Sequence, residues 1–469
     1  MVRVITQDTY DEVVKENMEE FDMSAEEAIK EAIAQFEAQG VDLSNIMKDL
    51  CLGSGDDRLV STTVAQLKEL NKSDEDDEIL KHLDILKAEC NKDIAHRVRA
   101  GKDGVYKILI DLLEARYKQY HKDNEVDKRI VVETLNCLTA LMDTQPDLLD
   151  DHGIDLIMRI LEETKNEEVL IATLQWVTNC CIKHEINRQR LFAKNIAARL
   201  KILLSSKNQK LISECLQVIR KFTLDDDIRV EFGRAHEHAR ELGVLLLEPL
   251  MALLKVRFTS TDNTKPPLVS ELMLTIATLL VRHELCKMAS DIGVNSLFTV
   301  LTDNYDNSVV AQQANKLITA LAGNDEVKRD LVKSGIVPIV TSLLTRHSNN
   351  AISTALTLKT IAALSLREPG HSKQFLDSGA PEGIVQCLKI HPNDSAVQKN
   401  ACWAIRNLTA RCREYNSKFH ELGIEALLNA AYDKFNKDFG FDIKSALRDL
   451  DCNVKLDEQW TGKGVQMEQ

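Results

Sequence analysis

The chain has 469 residues, 44% of them hydrophobic and only 5% aromatic, so a large core has to be built from aliphatic side chains and alanine, as packed helices prefer. Its formal net charge of −14 argues against nonspecific nucleic-acid binding and against docking on anionic membrane. No run of about eighteen apolar residues occurs, and the 11 cysteines are scattered without a C-x-x-C pair; both fit a soluble protein of a reducing compartment, cytoplasm or nucleus.

Residues 1–50 read as an acidic helical module. Residues 1–40 hold eleven acids against three bases, and Ser24, Glu27 and Gly40 mark the cap, the capping box and the end of a second amphipathic helix. Charge alone suggests that this module folds back over a groove, and that a partner recruited by the overall field is basic. Residues 51–77 are polar and mixed, which reads as a linker with one short helix.

From residue 78 to 455 one phrase recurs, a small residue followed by apolar residues at helical spacing. Its copies start at Gly153, Asn195, Gly243, Gly293, Gly335, Gly379 and Gly423, in steps of 42, 48, 50, 42, 44 and 44 residues, with a weaker copy near Gly104. A second apolar helix lies between copies, as in ATLQWVTNCCIKHE, TLKTIAALSL and ACWAIRNLTA. Each unit is then a short helix, a bend whose positive φ suits Gly or Asn, and two longer antiparallel helices. These helices are apolar on more than one stripe, so a single unit cannot bury itself, whereas about eight stacked units bury a continuous core. Insertions at 225–242 and 258–267 account for the long steps, and residues 456–469 read as a flexible tail.

The step of about 43 residues and the Gly-apolar bend before the second helix resemble armadillo repeats. HEAT repeats, the near alternative, usually carry a proline in the first helix, and only 8 prolines occur here. The opening DTYDEVVKENMEEF, the segment FTLDDDIRVEFGRAHEHAR and the ending ALRDLDCNVKLDEQWTG resemble one armadillo-repeat family over nearly the whole chain, most weakly over 51–135. That resemblance implies an all-α fold, an armadillo-type α-solenoid (a superhelix of three-helix repeats) with an acidic amino-terminal helical segment. It also implies a noncatalytic scaffold or adaptor that binds a protein partner, one with basic or extended segments, through the concave face. It supplies no catalytic residue and no cofactor.

In armadillo proteins that read extended peptides, third-helix Asn side chains bond the peptide backbone and Trp side chains form slots for Lys or Arg stems. Trp403 and Asn407 match this W-x-x-x-N spacing, with Arg406 beside them, while Trp176 and Asn179 match it imperfectly. These five are the candidate partner-binding residues; the competing reading of Trp403 is packing between units. Lys221, Thr278, Ala320 and Ala363 occupy the aligned Asn positions of other copies, so a nuclear-import adaptor for basic peptides is the weaker alternative. Lys183, Arg282, Arg367 and Arg411 recur at the ends of third helices, where cations suit the carbonyl ends. His184 and His283 read as caps between units.

The 225–238 insertion contains Asp225, Asp226, Asp227, His236 and His238, the basis of a metal-dependent enzyme as a remote alternative. H-x-H on a helix turns the two rings to different faces, and the acids read instead as an N-cap for the following helix. No phosphate-binding Gly loop, G-x-S-x-G or H-E-x-x-H occurs, so no enzyme activity, metal or cofactor is expected.

Overall fold

The structure, a computed structural model, describes residues 5–21, 23–43, 46, 48, 57–70, 75–120, 125–255, 268–293 and 295–454. Among these residues the fold is all-α, without a strand, and the helices build an armadillo solenoid that divides into two compact units, Met1–Leu245 and Leu246–Gln469. No helix among them is long and apolar enough to cross a membrane. The 258–267 loop and the 456–469 tail lie outside the described residues.

The first unit opens with α1 (Gln7–Glu20) and α2 (Ala25–Ala38), which share their own core of Tyr10, Val14, Ala28, Ala32 and Phe36. The capping box forms as its residues require. Ser24 Oγ accepts from Glu27 N–H, Glu27 Oε2 accepts from Ser24 N–H at 3.1 Å, and Gly40 takes φ +71° just beyond the helix. Within the stretch read as a linker, Asp57–Leu70 forms a helix, α3, that buries Val60, Val64 and Leu67. It packs on α4 (Asp76–Lys92) and α5 (Ile94–Lys102), and Lys102 of α5 pairs with Asp11 of α1.

Successive repeats follow. In the first unit α6 (Val105–Gln119) and α7 (Glu125–Leu141) precede α8 (Asp151–Glu163) and α9 (Glu167–Cys180). Then come α10 (Glu185–Ala193), α11 (Ile196–Leu203) and α12 (Gln209–Phe222). The third helices of these repeats, α7, α9 and α12, stack side by side behind α4. The next helix, α13 (Ala235–Leu254), runs through the boundary between units.

The second unit carries α14 (Leu268–Leu279), α15 (His283–Gly293), α16 (Asn295–Asp303) and α17 (Ser308–Leu321). They are followed by α18 (Asp325–Lys333), α19 (Ile336–Arg346) and α20 (Ala351–Ser365), and then by α21 (Pro369–Asp377), α22 (Ala380–Ile390) and α23 (Ser395–Thr409). It closes with α24 (Asn416–Glu421) and α25 (Ile424–Asp449), which leaves helical geometry at Phe435 and Phe439 and packs against α23. Its third helices α14, α17, α20 and α23 form a second stacked row.

The bends expected at the repeat starts form at Gly104, Asn195, Gly335, Gly379 and Gly423, each left-handed with φ between +64° and +93°. Two expected bends are absent. Gly153 lies inside the first turn of α8, where its lack of a side chain matters for packing: a Cβ there would stand 2.2 Å from Tyr106 Oη. Gly243 lies inside the continuous α13, because the inserted AHEHAREL is a run of helix formers with no turn residue, and the helix grows through the point where a bend was expected. Five of the third helices have a side-chain cap: Asn166, Asn208, Asn307, Asn350 and Asp394 accept from the first free N–H groups of α9, α12, α17, α20 and α23.

Candidate partner-binding surface on the third helices

On α23 the stripe Val397, Ala401, Ala404, Ile405 and Leu408 is buried, which leaves Lys399, Trp403, Arg406 and Asn407 half-buried on one side. Lys399 Nζ stands 5.1 Å above the Trp403 ring, a cation–π contact at i, i+4. Arg406 donates to Asp442 of α25 at 2.8 Å. Asn407 Nδ2 donates to the Ala362 carbonyl of α20 at 2.8 Å. That carbonyl is one of the last four of its helix, which have no intrahelical backbone donor, so the amide helps complete a neighbouring helix end at about 1 kcal/mol.

Trp176 is at 0% exposure, and its Nε1 has no hydrogen-bond partner. It is a core side chain and shares no surface with Trp403. Asn179 repeats the behaviour of Asn407, donating to the Thr139 carbonyl of α7 at 2.8 Å. Both asparagines are therefore engaged with the preceding third helix.

The positions that align with Trp403 in the two preceding repeats are Lys316 on α17 and Lys359 on α20. With Lys399 they give three adjacent third helices an ammonium each, half-buried or exposed, and none forms a salt bridge among the described residues. Arg282, Arg367 and Arg411 are exposed and likewise form no salt bridge among the described residues. This face of the second unit is locally positive although the chain carries −14. Sequence reading stopped at the Trp–Asn pair; the K-x-x-x-W spacing of Lys399 and Trp403 was the signal for the rest.

The 225–238 insertion is consumed by internal contacts. Asp227 does not cap the helix that follows it: its Oδ2 accepts from Glu185 N–H at 2.8 Å, capping α10 of the preceding repeat, and its Oδ1 takes Arg229 Nε at 2.8 Å. Arg188, fully buried, donates to Glu185 at 2.9 Å, to the Cys181 carbonyl at 3.2 Å and to Asp226 at 2.6 Å. Burial alone would raise the Glu185 carboxyl, but donation from Arg234 N–H, Gln189 and Arg188 holds it below the usual range. His184 caps α10 by accepting from Asn187 N–H at 3.1 Å and bonds Asp147 at 2.8 Å. His184 and Arg229 together hold Asp147 down to about 2.

His238 is buried and stacks on Phe192 at 4.1 Å, whereas His236 is exposed, so the two rings part as their spacing requires. Burial pushes the His238 imidazole down, towards the neutral form. A cavity of about 440 Å³ lies beside it, lined by Gln189, Phe192, Asn195, Arg234 and Glu241 among others. Arginines already hold Asp226 and Asp227, and the histidines diverge, so the insertion offers no convergent metal-ligand set.

Comparison with known proteins adds the following. The ARMC6 family model matches residues 60–468, and the model described as Armadillo repeat-containing protein 6 N-terminal domain matches residues 2–78. Armadillo repeat-containing protein 6 homolog of Drosophila melanogaster is 41% identical over 467 residues, covering 98% of both chains. Armadillo repeat-containing protein 6 of Homo sapiens is 34% identical over 476 residues, covering 98% of this chain and 93% of that one. Among solved structures, an engineered protein superposes with TM-score 0.66 at 18% identity over 95% of this chain and 99% of its own. An armadillo structure from work on a phosphorylation switch controlling the interaction between cadherin and β-catenin gives TM-score 0.58 at 16% identity, over 82% and 68%. At such identities the two structures speak to the fold alone.

Proposed function

The chain belongs to the armadillo repeat-containing protein 6 family, and from that premise we propose that it is a noncatalytic scaffold whose second unit binds an extended acidic segment of a partner protein along its third helices. The observation that carries this reading is the row Lys316, Lys359 and Lys399 with Trp403, unneutralised on adjacent helices that pack about 8–10 Å apart. Net charge favoured a basic partner, but a contact feels charges within a Debye length of about 10 Å, and there the side chains are cationic. Carriage of basic peptides fits poorly, because ammonium groups stand where apolar slots are needed. The Asn179 and Asn407 amides would also have to leave bonds worth about 1 kcal/mol each. The interaction between cadherin and β-catenin named for one related fold is an instance of a protein partner on this architecture. The ten described cysteines are all free thiols, nine of them buried, which supports a reducing compartment, cytoplasm or nucleus.

The test is fluorescence anisotropy of the full chain with labelled Asp/Glu-rich and Lys/Arg-rich peptides of equal length, across a salt series. The acidic peptide is expected to bind with an affinity that falls as salt rises. Replacing Lys316, Lys359 and Lys399 together by Glu should weaken it by about tenfold or more. Preference for the basic peptide, or acidic binding unchanged in the triple variant, would overturn the reading.

A further inference from the structure

The last repeat brings together three residues that sequence order keeps apart. His420 is on α24, Glu425 is in the first turn of α25, and Cys452 lies just beyond the end of α25, yet each offers a ligand atom within 4.8 Å of the others. They meet because α25 leaves helical geometry at Phe435 and Phe439, so that its end comes back beside its start. We propose that these three residues bind a divalent transition-metal ion of borderline softness, zinc above all, which ties α24 and the start of α25 to the end of α25.

The donor set is the one zinc selects: an imidazole nitrogen, a carboxylate oxygen and a thiolate sulfur. Around a tetrahedral ion with bonds of about 2.0–2.3 Å, donor atoms stand roughly 3.5 Å apart. The present spacing of 4.8 Å or less therefore requires about an ångström of side-chain adjustment.

Two of the three ligands are also held in place by a separate contact. His420 Nε2 donates to the Leu450 carbonyl at 2.7 Å, which fixes the tautomer and leaves the lone pair on Nδ1, as an outer-shell carbonyl does for a metal-bound histidine. Cys452 follows Asp451, whose left-handed φ of +62° ends α25, and its N–H returns to the Leu447 carbonyl at 3.0 Å. Asn416 Nδ2 ties α24 to the same chain end by donating to the Asp449 carbonyl at 3.0 Å. Much of the framework is built without the ion, which has to replace a proton and draw the three donors together.

That proton belongs to Cys452. Partial burial, the nearby charges of Glu425 and Asp451, and donation to Glu425 push the thiol up to about 11. Two positive charges between thiol and carboxylate reverse this: the sulfur–hydrogen bond breaks, a sulfur–metal bond forms and one proton leaves to solvent. Three protein ligands leave a fourth position for water.

The experiment adds Co²⁺, as a coloured substitute for zinc, to the full chain in the reduced state, with C452S, H420Q and E425Q variants alongside. One equivalent is expected to bind with a thiolate-to-cobalt charge-transfer absorption and to be displaced by Zn²⁺. C452S should lose the absorption, and H420Q should bind more weakly by at least the 10–100-fold that loss of an outer-shell partner costs. Unfolding curves of the variants in chelator, matching that of the parent chain, separate lost ligation from lost folding. No charge-transfer band in the parent chain, or a band that survives in C452S, would overturn the proposal.

Discussion

Replacing Arg188 by Met tests how the 225–238 insertion is held to its repeat. The guanidinium is at 0% exposure, and donates to Glu185, itself 1% exposed, and to Asp226. Burial opposes its charge, but these two carboxylates keep it protonated. Met has a similar stem and no donor, so the substitution leaves Glu185 buried without its counter-ion, a change that typically costs about 3–5 kcal/mol. Amide hydrogen exchange of α10 in the full chain reads this locally, with α22 and α23 as internal reference. At about 1.4 kcal/mol per decade, exchange of α10 should accelerate by roughly 10²–10⁴-fold. Adding Glu185→Leu should recover much of the loss, because an apolar pair of similar volume tolerates burial. Recovery stays incomplete, since Arg234 N–H, 2.6 Å from Glu185, then loses its acceptor at about 1–3 kcal/mol. A single variant within about 1 kcal/mol of the parent, or a double variant as unstable as the single, would refute the reasoning.

Two further outcomes follow from the same physics. Gly335→Ala should destabilise its repeat by about 1–2 kcal/mol through backbone strain alone, because φ is +93° and no atom lies within 4 Å of the added Cβ; denaturant unfolding showing no loss would remove strain as the reason for glycine there. The carboxyls of Asp147, Asp227 and Glu185 all sit below their ordinary values, so their stabilisation is complete above the unfolded carboxylate range and disappears as pH falls through the folded values. Exchange protection of α10 should accordingly stay level from pH 8 to about 5.5 and drop below about 4.5; a drop already at pH 6 would contradict this assignment.

Much of the architecture was legible because local chemistry and repeat geometry agree. Gly335, Gly379 and Gly423 each precede an apolar run and each bends there, since only a left-handed residue turns the chain so sharply. Gly153 and Gly243 carry the same local signature but are decided elsewhere, one by the Tyr106 hydroxyl packed against it and the other by eight inserted helix formers. Position four residues from an Asn could not tell Trp403, half-buried, from the enclosed Trp176 at its near-equivalent spacing, because inward rotation by one position decides which face a side chain takes. His420, Glu425 and Cys452 were illegible for a different reason. Their convergence depends on a kink within α25, where no proline announces it.

Several side-chain bonds between neighbouring repeats run from a later residue back to an earlier backbone carbonyl. Asn179 and Asn407 donate to carbonyls of the preceding third helix, as does Asn400 to Ala355, and the rings of His347 and His391 bond the carbonyls of Tyr305 and Ser348. In each case the donor lies about 40 residues later in the chain, so a helix end made first waits for its partner to be synthesised. At about 5–20 residues per second that wait is roughly 2–8 s per repeat on the ribosome. Nascent chains halted just before Asn407 should then hold α20 less firmly than chains halted after it, and pulling on stalled chains with a force-sensitive arrest sequence would register the step. Assembly of the solenoid thus runs as a ratchet from the amino end, each new repeat locking the one already out.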